Sequence, residues 1–228
     1  TLVSGEGTTT LQDAATGLGE LTLQEDADTS TGQVSLEGNV EATDLTTFGR
    51  PYAVSLTGGA RIDNAVEFLN TEGVTLGDEV NDVTEFTGGL DTTKGPSGTE
   101  IGGEIQTDGA DIDLGNTTLA ADAELEVANV TFNSTVDSVA NENHALTVNT
   151  SGDGVTTFNE IVGGNERLSS LTTNADGRTD SPILPADAFQ IGTYELVFFA
   201  GDYLRAMGQA ADEPLFLDEV PIRFGMSD

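Results

Sequence analysis

Short β-like units, separated by turns of glycine, asparagine and aspartate, recur along most of the chain and limit the folds it can adopt. Examples are GELTLQ (19–24), GQVSLEGNVEATDL (32–45), YAVSLTGGARI (52–62) and ELEVANVTF (124–132). Apolar and polar residues alternate within a unit, so Leu21 and Leu23 share one face, as do Val34 and Leu36. This alternation predicts strands with one buried and one solvated face.

The units also repeat at a loose interval in the twenties. ELEVANVTFN is echoed by ALTVNTSGDGVTTFN, which aligns Leu125 with Leu146 and Val130 with Val155. Such a period, built from strands and turns, indicates a β-solenoid whose stacked coils bury a column of Val, Leu, Ile and Phe. A β-sandwich with irregular hairpins is the competing interpretation, but the tight Asn-Gly and Asp-Gly signals of hairpins are scarce.

The composition changes near residue 170. The last 58 residues hold four of the six prolines, both methionines, two of the three tyrosines and five of the ten phenylalanines. Such a shift predicts a domain boundary. We therefore expect a β-helix repeat region over 1–171 and a second unit over 172–228. The second unit contains two alternating stretches, GTYELVFF and VPIRF, that predict strands.

Acidic residues dominate the charge of the chain. Forty acidic residues face seven basic ones, for a formal net charge of −33. A polyanion repels nucleic acids and anionic lipids, which argues against a nucleic-acid partner. A solvated surface suited to high salt and a diffuse trap for divalent cations are the two interpretations of this charge. No apolar run reaches the roughly 18–20 residues that a membrane span requires, so we expect none in this chain.

One acidic turn, DGADIDLGN, has aspartates at the spacing that calcium loops use, namely Asp108, Asp111 and Asp113. It lacks the glutamate of a complete EF-hand loop, so an acidic turn between coils is the alternative. The acidic turn is the favoured interpretation, so no cofactor is expected, and calcium is the one candidate if a cofactor binds. His144, the single histidine, has no second histidine or cysteine to complete a metal site, which favours a role in a surface turn.

Residues 1–175 resemble the β-strand repeats of very large bacterial surface proteins. Segments such as ATDLTTFGRPYAVSLTGGARIDNAVEFLN and ALTVNTSGDGVTTFNEIVGG are similar to autotransporter passengers and filamentous-haemagglutinin-type adhesins. The resemblance implies a right-handed parallel β-helix that is secreted and presented at the cell surface. It also implies partners of two kinds, namely copies of itself or other surface chains, and a carbohydrate or other cell-surface ligand.

Residues 172–228 resemble a different family. The motifs NADGRT, GTYELVF, GDYLRA, LFLD and VPIRFG follow one another as in 5-hydroxyisourate hydrolase, the transthyretin-related enzyme of urate breakdown. The resemblance implies part of a transthyretin-like β-sandwich. That family's site uses an early histidine, the arginine of the DGR motif, a histidine in an HYHVP segment and a C-terminal YRGS. Only the arginine is present here, as Arg178, and His144 matches no family motif.

Catalysis of the hydrolase type is not expected of this chain. Arg178 can hold an anion, but a guanidinium stays protonated and cannot act as the base that activates water. Losing both histidines is expected to cost several orders of magnitude in rate. An active or inactive hydrolase carried on a β-helix nevertheless remains the alternative function.

The leading hypothesis is a structural or interaction protein, namely a β-helical segment of a secreted or cell-surface adhesin or filament. A recombined chimera is a third hypothesis, because the repeat pattern and the hydrolase pattern share the six residues Thr172 to Gly177.

Overall fold

The structure is a computed structural model that describes residues 1–24, 31–152, 154–174, 193–199 and 219–225. These residues form twenty strands and no helix. In chain order the strands are β1 (Thr8–Leu11), β2 (Ala15–Thr22), β3 (Gln33–Leu36), β4 (Val40–Thr46), β5 (Ala53–Leu56), β6 (Ala60–Ile62), β7 (Val66–Glu67), β8 (Val74–Leu76), β9 (Val83–Phe86), β10 (Leu90–Asp91), β11 (Thr99–Gln106), β12 (Ile112–Leu114), β13 (Thr117–Val127), β14 (Val130–Phe132), β15 (Val136–Ser138), β16 (Ala145–Thr150), β17 (Thr156–Phe158), β18 (Ser170–Asn174), β19 (Thr193–Phe199) and β20 (Glu219–Gly225).

Strands β1 to β18 stack as successive coils of a β-solenoid. Their pairings are all parallel, and each joins a strand to its counterpart one coil further along the chain. One column of paired residues has seven rungs that lie 18 to 25 residues apart, namely Leu11, Leu36, Leu56, Leu76, Ile101, Leu119 and Ser138. The prediction of an all-β chain built on a parallel β-helix is confirmed. The alternative of a hairpin-built sandwich is wrong for this region, since hairpins pair antiparallel.

Each coil has three faces. The first face carries β1, β3, β5, β8, β15 and the first halves of β11 and β13. The second face carries β2, β4, β6, β9, β16, β18 and the second halves of β11 and β13. The third face carries β7, β10, β12, β14 and β17. Because β11 and β13 cross from the first face to the second, both faces belong to one 13-stranded sheet. The third face is a separate five-stranded sheet.

The alternating residues of the strands fill the interior as the sequence predicts. Val34 and Leu36 are fully buried, and Leu21 and Leu23 also lie in the core. Large aromatic side chains also pack in the core, where the rings of Phe132 and Phe158 stack with their centroids 4.8 Å apart. Each coil alone could not enclose these side chains, so coil stacking is what buries them.

A buried asparagine side chain binds the backbone carbonyl groups of one turn. Asn70 is fully buried between β7 and β8, and its Nδ2 donates to the carbonyl oxygens of Tyr52, Glu72 and Gly73 at 3.1, 3.3 and 3.4 Å. Buried carbonyl groups need hydrogen-bond donors, because unpaired polar groups are costly in an apolar interior. The Asn70 amide therefore holds the turn together where the backbone pairing stops.

Glycines line the corner between the first and second faces. A Cβ added to Gly38 would lie 2.4 Å from the backbone of Asp13, and one added to Gly58 would lie 2.1 Å from the carbonyl oxygen of Glu37. The backbones of successive coils thus pass closer than any side chain allows. Glycine at this corner is a requirement of the stacking distance.

The alignment of the last coils differs from the predicted one. Leu125 pairs with Val148 rather than with Leu146, and Val130 pairs with Thr156 rather than with Val155. The reason is that the preceding coil has no break within β13 and only two residues between β13 and β14, whereas this coil has the longer connections 139–144 and 151–155. Counting between apolar residues therefore loses the register. A shift of one residue moves a side chain to the opposite face of its strand.

Two further strands follow β18 in the chain. β19 and β20 pair antiparallel, from Thr193 with Gly225 to Phe199 with Glu219, which confirms both predicted strands. β18 pairs with β16 across the predicted boundary between 171 and 172, and that boundary stays a prediction. Among the residues described, no helix is long and apolar enough to cross a membrane.

Candidate functional site

The three aspartates of the predicted calcium turn lie at and after the corner that leads into β12. Asp108 is exposed in the turn, and Asp111 and Asp113 flank the buried Ile112, so both point outward. The Asp111 Oδ1 accepts a hydrogen bond from Asn129 Nδ2 at 2.7 Å. Within the described ranges, no three acidic, histidine or cysteine side chains converge on a point that could hold a metal ion. The aspartates are therefore not brought together, and calcium binding stays a prediction.

Asp113 instead belongs to a row of acids on the outer third face. Glu67 pairs with Asp91, and Asp91 pairs with Asp113, on three successive strands. Lys94 lies across this row, with its Nζ hydrogen-bonded to Glu67 and 3.3 Å from Asp91 Oδ2. Burial raises the pKa of Asp91, but hydrogen bonds from Thr93 and Lys94 outweigh it, so the pKa lies below its ordinary value. The only lysine of the chain thus bridges two coils.

A second row on the outer second face is also bridged by one cation. Glu41, Arg61 and Glu85 are paired residues on successive strands. The Arg61 guanidinium lies 3.3 Å from Asp63 Oδ1 and 3.8 Å from Glu85 Oε2. Both cations are fully exposed to solvent, which screens their charge. These bridges therefore offset local repulsion between the acids rather than hold the coils together.

The same face carries acids that have no such bridge described. Glu104 of β11 pairs directly with Glu124 of β13, two residues from Glu126. Burial raises the pKa of Glu104, and the neighbouring charges of Glu126 and Glu124 raise it further. A carboxyl whose pKa is raised by folding weakens the fold when it is ionised. Its contribution to stability is present in acid and is lost as the pH rises through the raised pKa.

We expect the Glu104→Gln variant to be more stable than the parent at pH 7, by about 0.5 kcal/mol, because it removes a charge that faces two like charges. The gain should shrink as the pH falls toward 4.5, the ordinary value for glutamate, where the parent carboxyl also becomes neutral. Chemical denaturation at pH 4.5, 6 and 7 measures this. Glu160→Gln, at an exposed position outside the row, is the matched control, and an equal gain there would contradict the local explanation.

At four contacts between neighbouring coils, the carboxylate of one coil is bound by an asparagine amide of the next coil rather than by a basic side chain. The pairs, with the acid first, are Asp44 with Asn64 at 2.8 Å, Asp111 with Asn129 at 2.7 Å, Glu124 with Asn149 at 2.6 Å and Asp137 with Asn165 at 3.2 Å. In each pair an Asn Nδ2 donates to a carboxylate of the preceding coil. These contacts join coils without a basic residue, which suits a chain with forty acids and seven bases.

His144 lies where three coils meet at the corner between the first and second faces. Its Nε2 is 2.9 Å from Glu142 Oε2 and its Nδ1 is 3.7 Å from Asp122 Oδ1. The side chain is 18% exposed, so it is more enclosed than the predicted surface turn implies. Its carbonyl accepts a hydrogen bond from the backbone N–H of Ser169 in the next coil. His144 thus joins neighbouring coils, and no metal-holding cluster includes it within the described residues.

Arg178, the catalytic residue that the resemblance implies, lies outside the described residues. Sequence reasoning missed the bridging residues Arg61 and Lys94, and the amide contacts between coils. The signal for them was the coil period itself, since residues about 20 apart become neighbours once the coils stack.

Comparison with known proteins places one family on the C-terminal part of the chain. The model of the HIUase/Transthyretin family matches residues 138–228. Residues 138–174 of this match also form the last solenoid strands, from the end of β15 to β18. The match therefore begins well before the predicted start of the second unit at 172.

Curated relatives align over shorter segments. The 5-hydroxyisourate hydrolase of Mesorhizobium japonicum is 57% identical over 61 residues, which is 27% of this chain and 49% of that protein. The hydrolase of Pseudomonas aeruginosa is 50% identical over 62 residues, 27% of this chain and 49% of that protein. The hydrolase of Ralstonia nicotianae is 42% identical over 74 residues, 32% of this chain and 63% of that protein. No solved structure matches the chain.

These similarities cover only part of the chain. The transthyretin-family match covers residues 138–228, and strands β1 to β14 of the solenoid lie outside it. The chain spans about half the length of most of the curated relatives it matches. The chain is therefore a β-solenoid joined to a C-terminal segment that is similar to part of 5-hydroxyisourate hydrolase.

Proposed function

We propose that this chain is a structural or interaction protein, namely a β-solenoid segment of a secreted or cell-surface adhesin or filament. The observation that carries the proposal is the unbroken parallel stack of coils around one apolar core. Neighbouring strands lie about 4.8 Å apart, so the seven-rung column extends for roughly 30 Å. A stack of this kind is a stiff, quasi-one-dimensional spacer whose length grows with each added coil.

The polar outer faces of the solenoid support a role at the cell surface. Rows of Thr, Asn and carboxylate side chains face solvent, and among the described residues only Val3, Val80 and Val83 are exposed large hydrophobic side chains. Such a surface resists nonspecific association, because it lacks extended apolar patches and repels other polyanions. The partners proposed for it are further copies, other surface chains, or a carbohydrate or similar cell-surface ligand.

Surface exposure of the chain can be tested directly. Intact cells that produce the protein are treated briefly with a protease, and the released peptides are identified by mass spectrometry. We expect peptides of the solenoid in the supernatant of intact cells, with a cytoplasmic enzyme as a marker that appears only after lysis. Solenoid peptides that appear only together with that marker would contradict the proposal.

A hydrolase is the second candidate, and the similarity to 5-hydroxyisourate hydrolases is the observation that favours it. The resemblance implies two histidines beside the arginine, whereas the chain has one histidine, which lies at a solenoid corner. Without a base to activate water, the chain lacks the general-base catalysis that this reaction needs, and an arginine cannot take over that role.

We therefore expect this 228-residue chain to leave the decay of 5-hydroxyisourate at its spontaneous rate. The assay follows the absorbance of freshly generated substrate with and without the chain, and a complete hydrolase serves as the positive control. Turnover well above the spontaneous rate that is lost in the Arg178→Ala variant would establish the enzyme and refute the expectation.

A further inference from the structure

Four tripeptides of the form Asn-X-Ser/Thr lie within a short part of the solenoid. They are Asn116-Thr117-Thr118, Asn129-Val130-Thr131, Asn133-Ser134-Thr135 and Asn149-Thr150-Ser151, and no other asparagine in the chain has this pattern. The pattern is the acceptor signal for N-linked sugars on exposed segments of exported proteins. A pattern alone occurs by chance in a chain rich in Asn and Thr, so the surroundings of each amide decide which are usable.

Two of the four amides are exposed at the same corner. Asn116 lies between β12 and β13, and Asn133 lies one coil further on, between β14 and β15. Both residues are exposed. The Asn116 Oδ1 accepts a hydrogen bond from Thr135 Oγ1 at 2.7 Å, and the Asn133 Oδ1 accepts one from Asn159 Nδ2 at 3.3 Å. These contacts use the amide oxygens and turn the nitrogens, where a sugar would attach, away from the partner.

The nitrogens of these two amides are held weakly within the described part of the chain. Asn133 Nδ2 has one contact, to the carbonyl oxygen of Thr131 at 3.5 Å, which is at the limit of a hydrogen bond. No carboxylate contact of Asn116 or Asn133 is found among the described residues. A substituent on either nitrogen would therefore displace no strong hydrogen bond among the described residues.

The other two amides are held on both sides. Asn129 donates from Nδ2 to Asp111 at 2.7 Å and accepts at Oδ1 from the backbone N–H of Val155 at 2.8 Å. Asn149 donates to Glu124 at 2.6 Å and accepts from Asn174 at 2.7 Å. Charge-assisted hydrogen bonds of this kind are among the stronger ones, and a sugar on Nδ2 would displace the carboxylate.

We propose that Asn116 and Asn133 are acceptor sites for an N-linked sugar and that Asn129 and Asn149 are not. The donor is a sugar activated as a diphosphate ester. The amide nitrogen bonds to the anomeric carbon, the bond from that carbon to the diphosphate oxygen breaks, the diphosphate leaves with the electron pair, and the amide proton passes to a base of the transferase. A nucleoside diphosphate and a polyisoprenyl diphosphate provide the same leaving-group chemistry.

This inference rests on the proposed function, because an exported surface protein is the usual bearer of such sugars. At this corner the sugars would project from successive coils, side by side, and cover the edge between the third and first faces. A neutral, strongly hydrated cover there would shield the backbone turns from proteases without adding to the negative charge.

Two arms of one experiment test the proposal and separate the donors. In the first, the purified folded chain is incubated with a soluble sequon-specific glycosyltransferase and a nucleotide-activated hexose. In the second, the purified folded chain is incubated with a membrane-bound oligosaccharyltransferase and a polyisoprenyl-linked sugar donor, and its folding is checked by circular dichroism. Intact mass and glycopeptide mass spectrometry give the occupancy of each asparagine in both arms.

We expect sugar on Asn116 and Asn133 in at least one arm, with occupancy of Asn129 and Asn149 at least tenfold lower. Asn116→Gln and Asn133→Gln should each remove one sugar, whereas Asn129→Gln and Asn149→Gln should leave the glycan mass unchanged. The heat-unfolded chain in the first arm is the control, since losing the solenoid contacts should open all four positions. A folded chain without sugar in both arms, or with equal occupancy at all four asparagines, would overturn the proposal while leaving the surface-protease result untouched.

Discussion

The Asn70→Asp variant is expected to lower the free energy of unfolding by about 3–5 kcal/mol at pH 7. The two side chains have the same shape, but an ionised aspartate has no N–H groups to donate. Its charge would face the carbonyl oxygens of Tyr52, Glu72 and Gly73, which the Asn70 amide now satisfies. The side chain is fully buried, so water cannot take over this role.

The loss should become smaller in acid, because a protonated carboxyl regains one donor and loses its charge. Urea denaturation at pH 7 and pH 4 measures both effects. Asn159→Asp is the matched control, since Asn159 is exposed and its side chain, within the described part of the chain, donates to Asn133 alone at 3.3 Å. We expect that control to cost less than about 1 kcal/mol. Equal losses for the buried and the exposed asparagine would show that Asn70 does not hold the turn.

The Gly58→Ala variant is expected to lower the free energy of unfolding by about 2–4 kcal/mol, at or above the upper end of overpacking effects. A Cβ at this position would lie 2.1 Å from the oxygen of Glu37, 2.3 Å from its carbonyl carbon and 2.6 Å from the carbonyl carbon of Gly38. All three are backbone atoms, so no side chain can rotate away. The coils would have to separate at the corner, which stretches the hydrogen bond from the Gly58 N–H to the Leu36 oxygen.

Gly19→Ala is the matched control for this prediction. Gly19 lies in β2 on the second face, near the corner that holds Gly58, and a Cβ there would meet no atom within 4 Å. Its substitution should be neutral or stabilising by up to about 1 kcal/mol, because alanine restricts the unfolded chain more than glycine does. Thermal and urea unfolding of the two variants give the comparison, and a Gly58→Ala variant as stable as Gly19→Ala would refute the close approach of the coils.

The type of fold could be predicted from local pattern. Alternation placed Val34 and Leu36 on one face, and both are fully buried in the column that the repeat predicted. The strands at 193–199 and 219–225 were predicted in the same way, because alternation needs only neighbouring residues.

The register of the coils could not be predicted so directly. Aligning Leu125 with Leu146 failed by two residues, since Leu125 pairs with Val148. Coil lengths vary because connections at the corners lengthen and shorten, and only three-dimensional pairing shows which residue opposes which. The roles of Gly58 and Asn70 could not be predicted either. In sequence, Gly58 resembles an ordinary turn glycine, and its close contact with Glu37 appears only in the stacked coils. The role of Asn70 depends on three carbonyl groups, one of them 18 residues away.

The candidate site was less predictable than the fold. Charge patterning suggested cation capture at Asp108, Asp111 and Asp113, yet spacing along the chain does not fix the direction of side chains on a strand. Asp111 and Asp113 point outward on the same side of β12, and Asp111 is bound to an amide of the next coil. The acidic rows of this chain accept hydrogen bonds from amides of the next coil or form ion pairs with a single Arg or Lys. These contacts exist only because the coils stack.

Parallel stacking of the coils in the stated register is the claim on which the function and the sugar sites depend, and disulfide trapping tests it most directly. The chain has no cysteine, so every thiol or disulfide that is measured comes from the introduced cysteine pair. Glu41 and Arg61 are paired on adjacent strands, and Glu85 is one strand further on. Adjacent strands lie about 4.8 Å apart, within disulfide reach, whereas the second neighbour lies at roughly 9.6 Å, beyond it.

The measurement is the free-thiol content of the two folded double variants after mild oxidation. We expect Glu41→Cys/Arg61→Cys to close almost completely and Glu41→Cys/Glu85→Cys to keep both thiols. Closure of the second pair with the first pair left open would contradict the stacked β-solenoid.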